Sequence, residues 1–535
     1  MSGGEKPTAG TPAPSPFVRD ASGLVREISP WSSFMATFVF ITGGIPILWA
    51  ASLNYYPGAN WPVAYFIALL PTLVMGVLFT IIGISMPRSG GDYVFTSRGT
   101  HSFVGFIFYW FLSISFILNL GIFTYYGGEY FAYMISGLGA YYNSASLMNL
   151  GSTLVAPLPS LGLAVLLIII SAVVAVLRPR RAWKFILVMG IIIFATTAIL
   201  AVALATMNSS TFASTYNNFA ATNTFDNVTY SGVISSGGVT PPGNWLTATA
   251  AALPFTWFAY VWYNLPTTWG GEVKNVKRAM PISILVAIIA GAIYYILYAV
   301  LAYHAFGGSF LENWAGIVHN GNNAAIASIG GFIPFFALVY SGNVWLYYIM
   351  FIALWLPTFL FFTPLIISQT RYLFAWAFDR ILPERVASVS ERTHTPIVAT
   401  ILVSIGGFIG ALLTDLIGNS SFTIDAFAIF TFGFIGAAFA ALIFPWRRKE
   451  LYKNFVAKKK FILPLISWLG LASLIYLVYS TYLSFQVGSI PIDNVALSFY
   501  GIVLVLGIII YAISYLVNKR KGIPLDLIFK EIPPE

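Results

Sequence analysis

The sequence lacks cysteine and is poor in charged residues, and each absence excludes whole classes of protein. Without cysteine there is no disulfide, no thiolate metal site, no iron–sulfur cluster and no cysteine nucleophile. Charged residues make up only 8% of the 535 residues, whereas soluble domains carry about 25%. The sequence also has no GxxxxGK[ST] loop of the kind that cradles nucleotide phosphates. We therefore expect neither enzymatic activity nor a cofactor.

Apolar residues take the place of the missing charges. Hydrophobic residues make up 58% of the chain, and its mean hydropathy is +0.82. A helix of about 20 apolar residues crosses the ~30 Å hydrocarbon layer of a membrane, and runs such as 161–177 are continuously apolar rather than alternating as in barrel strands. The sequence predicts an all-α polytopic membrane protein with twelve transmembrane helices. These predicted spans, numbered 1 to 12, are 31–51, 62–86, 102–137, 161–177, 183–207, 246–266, 281–305, 345–376, 396–416, 422–445, 461–485 and 496–518.

The basic residues indicate the orientation of the chain. All 27 Lys and Arg residues lie in the two tails or beside the connections that follow even-numbered spans, and the positive-inside rule makes that side cytoplasmic. We expect a multi-pass plasma-membrane protein with both termini cytoplasmic, whose net charge of +9 reflects topology rather than a nucleic-acid partner. Three N-x-[ST] sequons, at Asn208, Asn227 and Asn419, lie on the other side, where glycosylation takes place. The outward connection at 208–245 predicts a solvated cover rather than a folded domain.

Two of the predicted spans contain helix breakers. Span 1 contains residues 42–46 (TGGIP) near its middle, and span 6 is bracketed by Pro254 and Pro266. The two spans run in opposite directions and are five spans apart, as a 5+5 inverted repeat of spans 1–5 and 6–10 predicts, with a ligand site at the membrane midplane. The chain then divides into a cytoplasmic N-terminal tail at 1–28, a first repeat at 29–210, an extracellular loop at 211–245, a second repeat at 246–445, a basic cytoplasmic loop at 446–460, two further spans at 461–518 and a cytoplasmic C-terminal tail at 519–535.

Few polar residues lie within the spans, and each has two interpretations. Glu129, toward the outer end of span 3, is either a proton-relay group or a residue of the aqueous interface. Ser115 and Asn119, nearer the middle of that span, either contact a ligand or bond a neighbouring helix. No Lys or Arg lies deep in any predicted span.

Three connections on the basic side carry recognisable motifs. Residues 87–93 (PRSGGDY) follow span 2 and resemble the PxSGGxY signature of the amino acid-polyamine-organocation (APC) superfamily. Residues 271–281 (GEVKNVKRAMP) are similar to its GEVKNPxRxxP, with Val276 in place of proline. Residues 371–383 (RYLFAWAFDRILP) resemble its RxxxAxAxDGxLP, with Arg380 in place of glycine. The resemblance extends over spans 1 to 10, and the predicted total of twelve spans also agrees with the family.

This resemblance implies a leucine-transporter-like fold and transport of an amino acid or polyamine by alternating access. It implies coupling to protons or sodium, or exchange, and a substrate held between the breaks of spans 1 and 6, with its carboxylate on backbone amides and its ammonium on nearby carbonyls. Phe258 matches the family's aromatic gate. Trp262 stands where glycine is usual, which implies a smaller or more aromatic pocket. The substrate-binding candidates are Thr42, Gly43, Gly44, Ile45, Ser115, Asn119, Phe258, Tyr260, Val261, Trp262 and Asn264.

Coupling remains open at this stage. Asn264 occupies a position that can be acidic in the arginine/agmatine exchanger of the superfamily, so the same proton mechanism is not expected. For sodium, the one metal ion that this family resemblance allows, Thr358 and Thr363 would supply the hydroxyl ligands. For a proton, the candidate is Glu129. We interpret the chain as a secondary active permease for a small neutral or aromatic amino acid. A polyamine or cationic amine carrier or exchanger, and a membrane-embedded amino acid sensor without transport, are the alternatives.

Overall fold

A computed structural model describes residues 22–223, 228–241, 243–417, 420–455, 462–487, 494–523 and 525–534. Within these ranges the chain forms helices and turns, with two isolated bridges, Ile28 to Val273 and Ser89 to Trp269, in place of any sheet. The predicted all-helical class is confirmed.

Eleven helices are long and apolar enough to cross a membrane, counted over the described residues. They match predicted spans 1–5 and 7–12, so the polytopic helical fold is also confirmed. Span 6 is not among them, because it is divided into short pieces, Trp245–Ala251, Leu253–Tyr260 and a 3₁₀ segment Val261–Thr267. The count of twelve therefore stays a prediction. The eleven are Pro30–Tyr55, Trp61–Ser85, Ser102–Tyr141, Pro157–Ala175, Pro179–Thr206, Val276–Phe306, Val344–Phe378, Ile397–Ile417, Phe430–Arg447, Leu465–Leu483 and Leu497–Arg520.

Two helices are much longer than a membrane requires. Span 3 has 40 residues and span 8 has 35, against about 20 for a perpendicular crossing. They are five spans apart, as equivalent helices of an inverted repeat would be, and they pack against each other near the middle of the molecule through the ring contact of Phe123 with Phe361. The division into two repeats stays a prediction.

The connection after span 5 is more ordered than the sequence analysis predicts. It contains the helices Ser209–Thr222 and Tyr230–Ser236, and the first buries Phe212, Tyr216 and Phe219 at helical spacing against rings such as Phe310. The prediction of a solvated cover is wrong for this apolar face. Of the sequons, Asn208 is exposed and caps the first helix through its contact with the amide of Ser210, whereas those at 227 and 419 lie outside the described residues.

The basic connections meet at one end of the molecule, which we call the basic end. Glu27 accepts from the amide of Arg180 at 3.0 Å, and Arg178 Nε donates to the carbonyl of Arg392 at 3.0 Å. These contacts join the N-terminal region to the connections that follow spans 4 and 8. The common location of the basic residues agrees with the positive-inside pattern, and the assignment of this end to the cytoplasm stays a prediction. Residues 1–21 of the predicted tail and 456–460 of the predicted basic loop lie outside the described residues.

A segment at 525–534, here the C-terminal segment, crosses the basic end. The ring of Phe529 lies 4.8 Å from the guanidinium of Arg98, whose Nε donates to the carbonyl of Glu531 at 3.2 Å. Arg88 Nε donates to the carbonyl of Pro533 at 2.7 Å. The segment thus covers two arginines with main-chain acceptors and buries Phe529.

Shorter helices connect the spans and cover the two ends of the molecule. They are Gly91–Gly99, Ala145–Val155, Gly308–Asn320, Ala324–Ala327, Ile333–Ser341, Glu384–Ala387, Lys449–Tyr452 and Leu525–Ile528.

Candidate functional site

Span 1 is interrupted at the two predicted glycines. Its first helix ends at Thr42, Gly44 has a φ of +73°, and a second helix begins at Ile45. A Cβ on Gly43 would lie 2.7 Å from the carbonyl oxygen of Val39 and 3.0 Å from that of Pro357 in span 8, so only glycine fits there. Proline follows at position 46, the second residue of the new helix, where its missing N–H removes no intrahelical hydrogen bond. The sequence pattern therefore marks a true break.

Span 6 changes its helical form rather than stopping. The α-helix Leu253–Tyr260 continues as a 3₁₀ helix over Val261–Thr267, and every residue of that stretch is buried. The tighter 3₁₀ turn replaces the i to i−4 bonding pattern, and such stretches inside a helix often mark hinges. The change lies between the two prolines that the sequence analysis identified.

The two altered helices meet at a residue that the sequence analysis missed. The hydroxyl of Tyr295, on span 7, contacts the carbonyl oxygens of Ile41 in span 1 and Ala259 in span 6, the latter at 3.0 Å. A hydroxyl carries one hydrogen, so it donates fully to only one of the two carbonyls. Together the two carbonyls can accept more hydrogen bonds than this one hydroxyl can donate. The sequence offers no signal for this residue, because Tyr294 and Tyr298 lie beside it on the same span.

An aromatic cluster fills the space beside this junction. Trp262 is its centre and is 1% exposed. Its ring lies 5.0 to 6.4 Å, between centroids, from six phenylalanine rings of spans 1, 3, 6, 8 and 10. These rings are Phe40, Phe116, Phe123, Phe258, Phe361 and Phe430.

Asn119 lies on the face of span 3 that borders this cluster. Its neighbours along that face, Phe116 and Phe123, are three residues before it and four after it, and both contact Trp262. Asn119 Nδ2 donates to the carbonyl of Ser115 at 2.8 Å, but its Oδ1 is buried without a hydrogen-bond partner. The hydroxyl of Ser115 is bonded within its own helix, to Phe111. Asn119 thus offers an unused acceptor on the face of span 3 that carries Phe116 and Phe123, whereas the hydroxyl of Ser115 already has a partner.

The remaining substrate candidates fall into three places. Thr42, Ile45 and Val261 are buried at the two breaks, and the hydroxyl of Thr42 bonds its own helix. Tyr260 contacts the ring of Tyr295 and donates to a carbonyl of span 2. Asn264 is directed toward a different group of residues, described below.

The coupling candidates do not form one cluster. The hydroxyl of Thr358 lies 3.6 Å from the position of a Cβ on Gly44, so it borders the break in span 1. Thr363 is five residues further along the same helix, about 140° around its axis. Glu129 is half-buried and forms no ion pair with any residue that the structure describes. Only Thr358 is therefore adjacent to a break.

Two buried ion pairs join the second and third motifs to each other and to Arg98, which lies on the helix that begins within the first motif. Arg98 donates two hydrogen bonds of 2.6 Å to Asp379, and Arg371 donates two of 2.7 Å to Glu272. All four side chains are at most 4% exposed. Bidentate pairs of this kind hold their partners in a fixed geometry, so they join the connections of the basic end to one another.

A third acid of the basic end, Asp92, has no cationic partner within the described part of the chain. Asn264 Nδ2 donates to its Oδ2 at 3.0 Å, the hydroxyl of Tyr372 donates to the same oxygen at 2.8 Å, and the amide of Tyr93 donates to Oδ1 at 3.0 Å. The amide group of Asn264 therefore belongs to the closure of the basic end. Sequence reasoning quoted Asp92 within a motif but did not identify it as a site residue.

The structure explains why the family motif usually has glycine at the position of Arg380. Arg380 has a φ of +63°, a conformation in which glycine is least strained. Its carbonyl accepts from Ser514 Oγ and Asn518 Nδ2, both at 2.9 Å. These bonds from span 12 hold the strained turn in place.

A sequence model of the amino acid permease family matches residues 28–518. The match includes both altered helices, the aromatic cluster, the ion pairs and all three motifs. Permeases of this family are transporters rather than enzymes. The chain therefore belongs to the amino acid permease family and is a multi-pass membrane transporter of amino acids.

Proposed function

We propose that the protein carries one small neutral or aromatic amino acid at a time across the plasma membrane by alternating access. The substrate binds between the breaks of spans 1 and 6, and the basic end faces the cytoplasm. The observation that carries this proposal is the junction at Tyr295, where carbonyls of both broken helices share one hydroxyl. A substrate ammonium supplies the donors that this junction lacks.

The carboxylate would bind at the start of the second helix of span 1. The first hydrogen bond of that helix runs from the amide of Leu48 to the carbonyl of Gly44, so helix geometry leaves the amides of Gly44 and Ile45 available to an anion. The amide of Gly43 already donates to Val39 at 2.7 Å. The proposal therefore places the carboxylate on Gly44 and Ile45 and gives Gly43 the role of allowing the break.

The side chain of the substrate would enter the aromatic cluster. The rings around Trp262 provide an apolar surface without a charged member, which favours neutral and aromatic side chains over cationic ones. Because Phe258 and Trp262 belong to span 6 on either side of its change to a 3₁₀ helix, a shift of this segment would admit the substrate and close over it. The orphan acceptor of Asn119 supports a polar contact at the same place.

Uptake by purified protein in proteoliposomes tests this proposal. Each amino acid of a radiolabelled panel would be offered under a proton gradient, a sodium gradient or unlabelled internal substrate. We expect saturable uptake of a neutral or aromatic amino acid. Binding without flux under every condition would identify a sensor, and uptake restricted to amines or cationic amino acids would contradict the proposed substrate class.

Gly43→Val locates the site in the same assay. The added side chain would collide with the carbonyls of Val39 and Pro357, and we expect uptake to fall by at least about tenfold while folded protein is still recovered. Gly162→Val is the matched control, since a Cβ there meets nothing within 4 Å on an exposed face of span 4. Normal uptake by Gly43→Val would overturn the assignment of the site.

A further inference from the structure

The three buried acids of the basic end differ in the partners they have. Asp379 and Glu272 each face an arginine, which can only donate. Asp92 is 0% exposed and accepts hydrogen bonds from an amide, a hydroxyl and a backbone N–H, and the hydroxyl of Tyr109 also lies near it. The side-chain amide of Asn264 and the hydroxyl of Tyr372 can each donate or accept. The surroundings of Asp92 can therefore satisfy either a carboxylate or a carboxylic acid, which an arginine cannot do.

The side-chain oxygen of Asn264 is an acceptor that no hydrogen bond uses. Asn264 Nδ2 donates to Asp92, while Oδ1 is buried without a hydrogen-bond partner. The same Nδ2 also donates to the hydroxyl oxygen of Tyr372 at 3.3 Å. Rotation of the amide would present Oδ1 to a protonated Asp92 and would release the hydroxyl oxygen of Tyr372, which lies 2.8 Å from Asp92 Oδ2, as a second acceptor. Because Asn264 belongs to the 3₁₀ segment of span 6, the protonation state of Asp92 is linked to the helix that forms the substrate site.

The other groups around Asp92 leave its charge uncompensated. Three tyrosine rings enclose it: Tyr93 from its own helix, Tyr109 from span 3 and Tyr372 from span 8. The ring of Tyr109 lies 5.5 to 6.1 Å, between centroids, from the other two. Among the described residues of this end, the two buried arginines are Arg98 and Arg371. Each is engaged by another carboxylate through two hydrogen bonds.

Burial raises the pKa of Asp92, which lies outside the membrane-spanning helices, to about 6, even though the bonds from Asn264, Tyr372 and Tyr93 lower it. A carboxyl exposed to water has a pKa of about 4. A carboxyl whose pKa is higher when the basic end is closed than when it is open binds a proton on closing and releases it on opening. The coupling is greatest between about pH 4 and pH 6.

We propose that Asp92 is the proton-binding group that couples substrate transport to a proton gradient. While the basic end is closed, a proton taken up from the outer side adds to Asp92 Oδ2, and the bonds that this oxygen accepts from Asn264 and Tyr372 are replaced by one that it donates. When the basic end opens, water hydrates the carboxyl and the proton leaves to that side. This inference rests on the proposed function and names its coupling ion.

Infrared difference spectroscopy of the purified protein tests the proton site without a substrate. Between pH 7.5 and pH 5, we expect the carbonyl band of a protonated carboxylic acid to appear in the wild type and to be lost in Asp92→Asn. Tyr372→Phe removes one bond to the carboxylate and should move the midpoint of the band up by about one pH unit. A structural role alone would not move this midpoint. A band that is unchanged in Asp92→Asn would overturn the proposal.

Transport in proteoliposomes tests the coupling. The readout is the ratio of uptake with an acid-outside gradient to uptake without it, which we expect to be at least about fivefold in the wild type and close to one in Asp92→Asn. Asp415→Asn, at an acid that bonds Tyr125 in the other half of span 3, is the matched control and should keep the wild-type ratio. A ratio close to one in Glu129→Gln, with the wild-type ratio kept in Asp92→Asn, would assign coupling to Glu129 and overturn the proposal.

The two experiments separate this inference from the proposed function. An infrared band assigned to Asp92, with no uptake of any amino acid, would contradict transport and leave the proton site standing. Uptake that is the same with and without a proton gradient would contradict the coupling and leave the proposed transport intact.

Discussion

The middle of the molecule and its basic end both bury polar groups, but they satisfy them differently. At the basic end, Arg98 and Arg371 each meet a carboxylate through two hydrogen bonds. At the junction of spans 1 and 6, two carbonyls share the hydroxyl of Tyr295, and Asn119 Oδ1 has no partner. Asn264 Oδ1, at the basic end, is likewise buried without a hydrogen-bond partner. The comparison teaches that the ion pairs fix the structure of the basic end, whereas the polar atoms without a partner, in both regions, are where a substrate or a proton can add a bond.

The largest effect is expected from the buried pair of Arg98 and Asp379. Arg98→Ala leaves a buried carboxylate without its partner, and breaking such pairs costs about 3–5 kcal/mol. We expect a large fall in the thermal unfolding temperature in detergent. Lys453→Ala breaks the exposed pair with Glu450 and should leave that temperature unchanged. Equal shifts in the two variants would show that burial does not distinguish these pairs.

A smaller effect is expected at the junction. Tyr295→Phe leaves the carbonyls of Ile41 and Ala259 without their donor, at a cost of about 1–3 kcal/mol. Bound substrate should recover part of that loss, because its ammonium supplies donors.

Unfolding temperatures with and without substrate measure this difference. The control is Tyr298→Phe on the same span, because the hydroxyl of Tyr298 is buried without a hydrogen-bond partner and its removal should change little. A loss in Tyr295→Phe that substrate does not reduce would contradict the placement of the ammonium at this junction.

The smallest effect is expected at Arg380. Its φ of +63° costs about 1–2 kcal/mol for a residue with a side chain, and glycine would remove that cost. Glycine also makes the unfolded chain more flexible, which lowers the free energy of unfolding by about 0.5–1 kcal/mol. Arg380→Gly should therefore raise stability by about 1 kcal/mol or less, measured as a small rise in unfolding temperature. The bonds to its carbonyl from Ser514 and Asn518 involve only backbone at this position and should remain. A marked fall instead would show that the arginine side chain stabilises the basic end.

The sequence predicts the spans well because lipid imposes a single rule on them. Each helix that crosses the membrane must bond its own backbone and present apolar side chains, so hydropathy alone locates the eleven long helices. The break at Gly43 and Gly44 is also visible, because consecutive glycines followed by proline have few other uses within a span. The sequence could not predict that span 6 would continue as a 3₁₀ helix, since proline is compatible with either form.

The contacts of the site are harder to predict because they join distant positions. Asp92 and Asn264 are 172 residues apart, and Asp92 and Tyr372 are 280 apart. The motif around Asp92 is visible in the sequence. Only the folded chain shows that the two buried arginines are paired with Asp379 and Glu272 and not with Asp92. The helix at 209–222 illustrates a different omission: Phe212, Tyr216 and Phe219 have helical spacing that composition alone does not register.

The C-terminal segment has a consequence for the order in which the protein assembles. The contact of Arg98 with Glu531 joins residues 433 positions apart, and that of Arg88 with Pro533 spans 445. Asp379, the carboxylate partner of Arg98, is itself 281 positions away. During synthesis, both arginines are in place long before the groups that cover them exist. The spans are therefore synthesised while this end is still hydrated, and the main-chain groups that cover the two arginines follow only after the last predicted span.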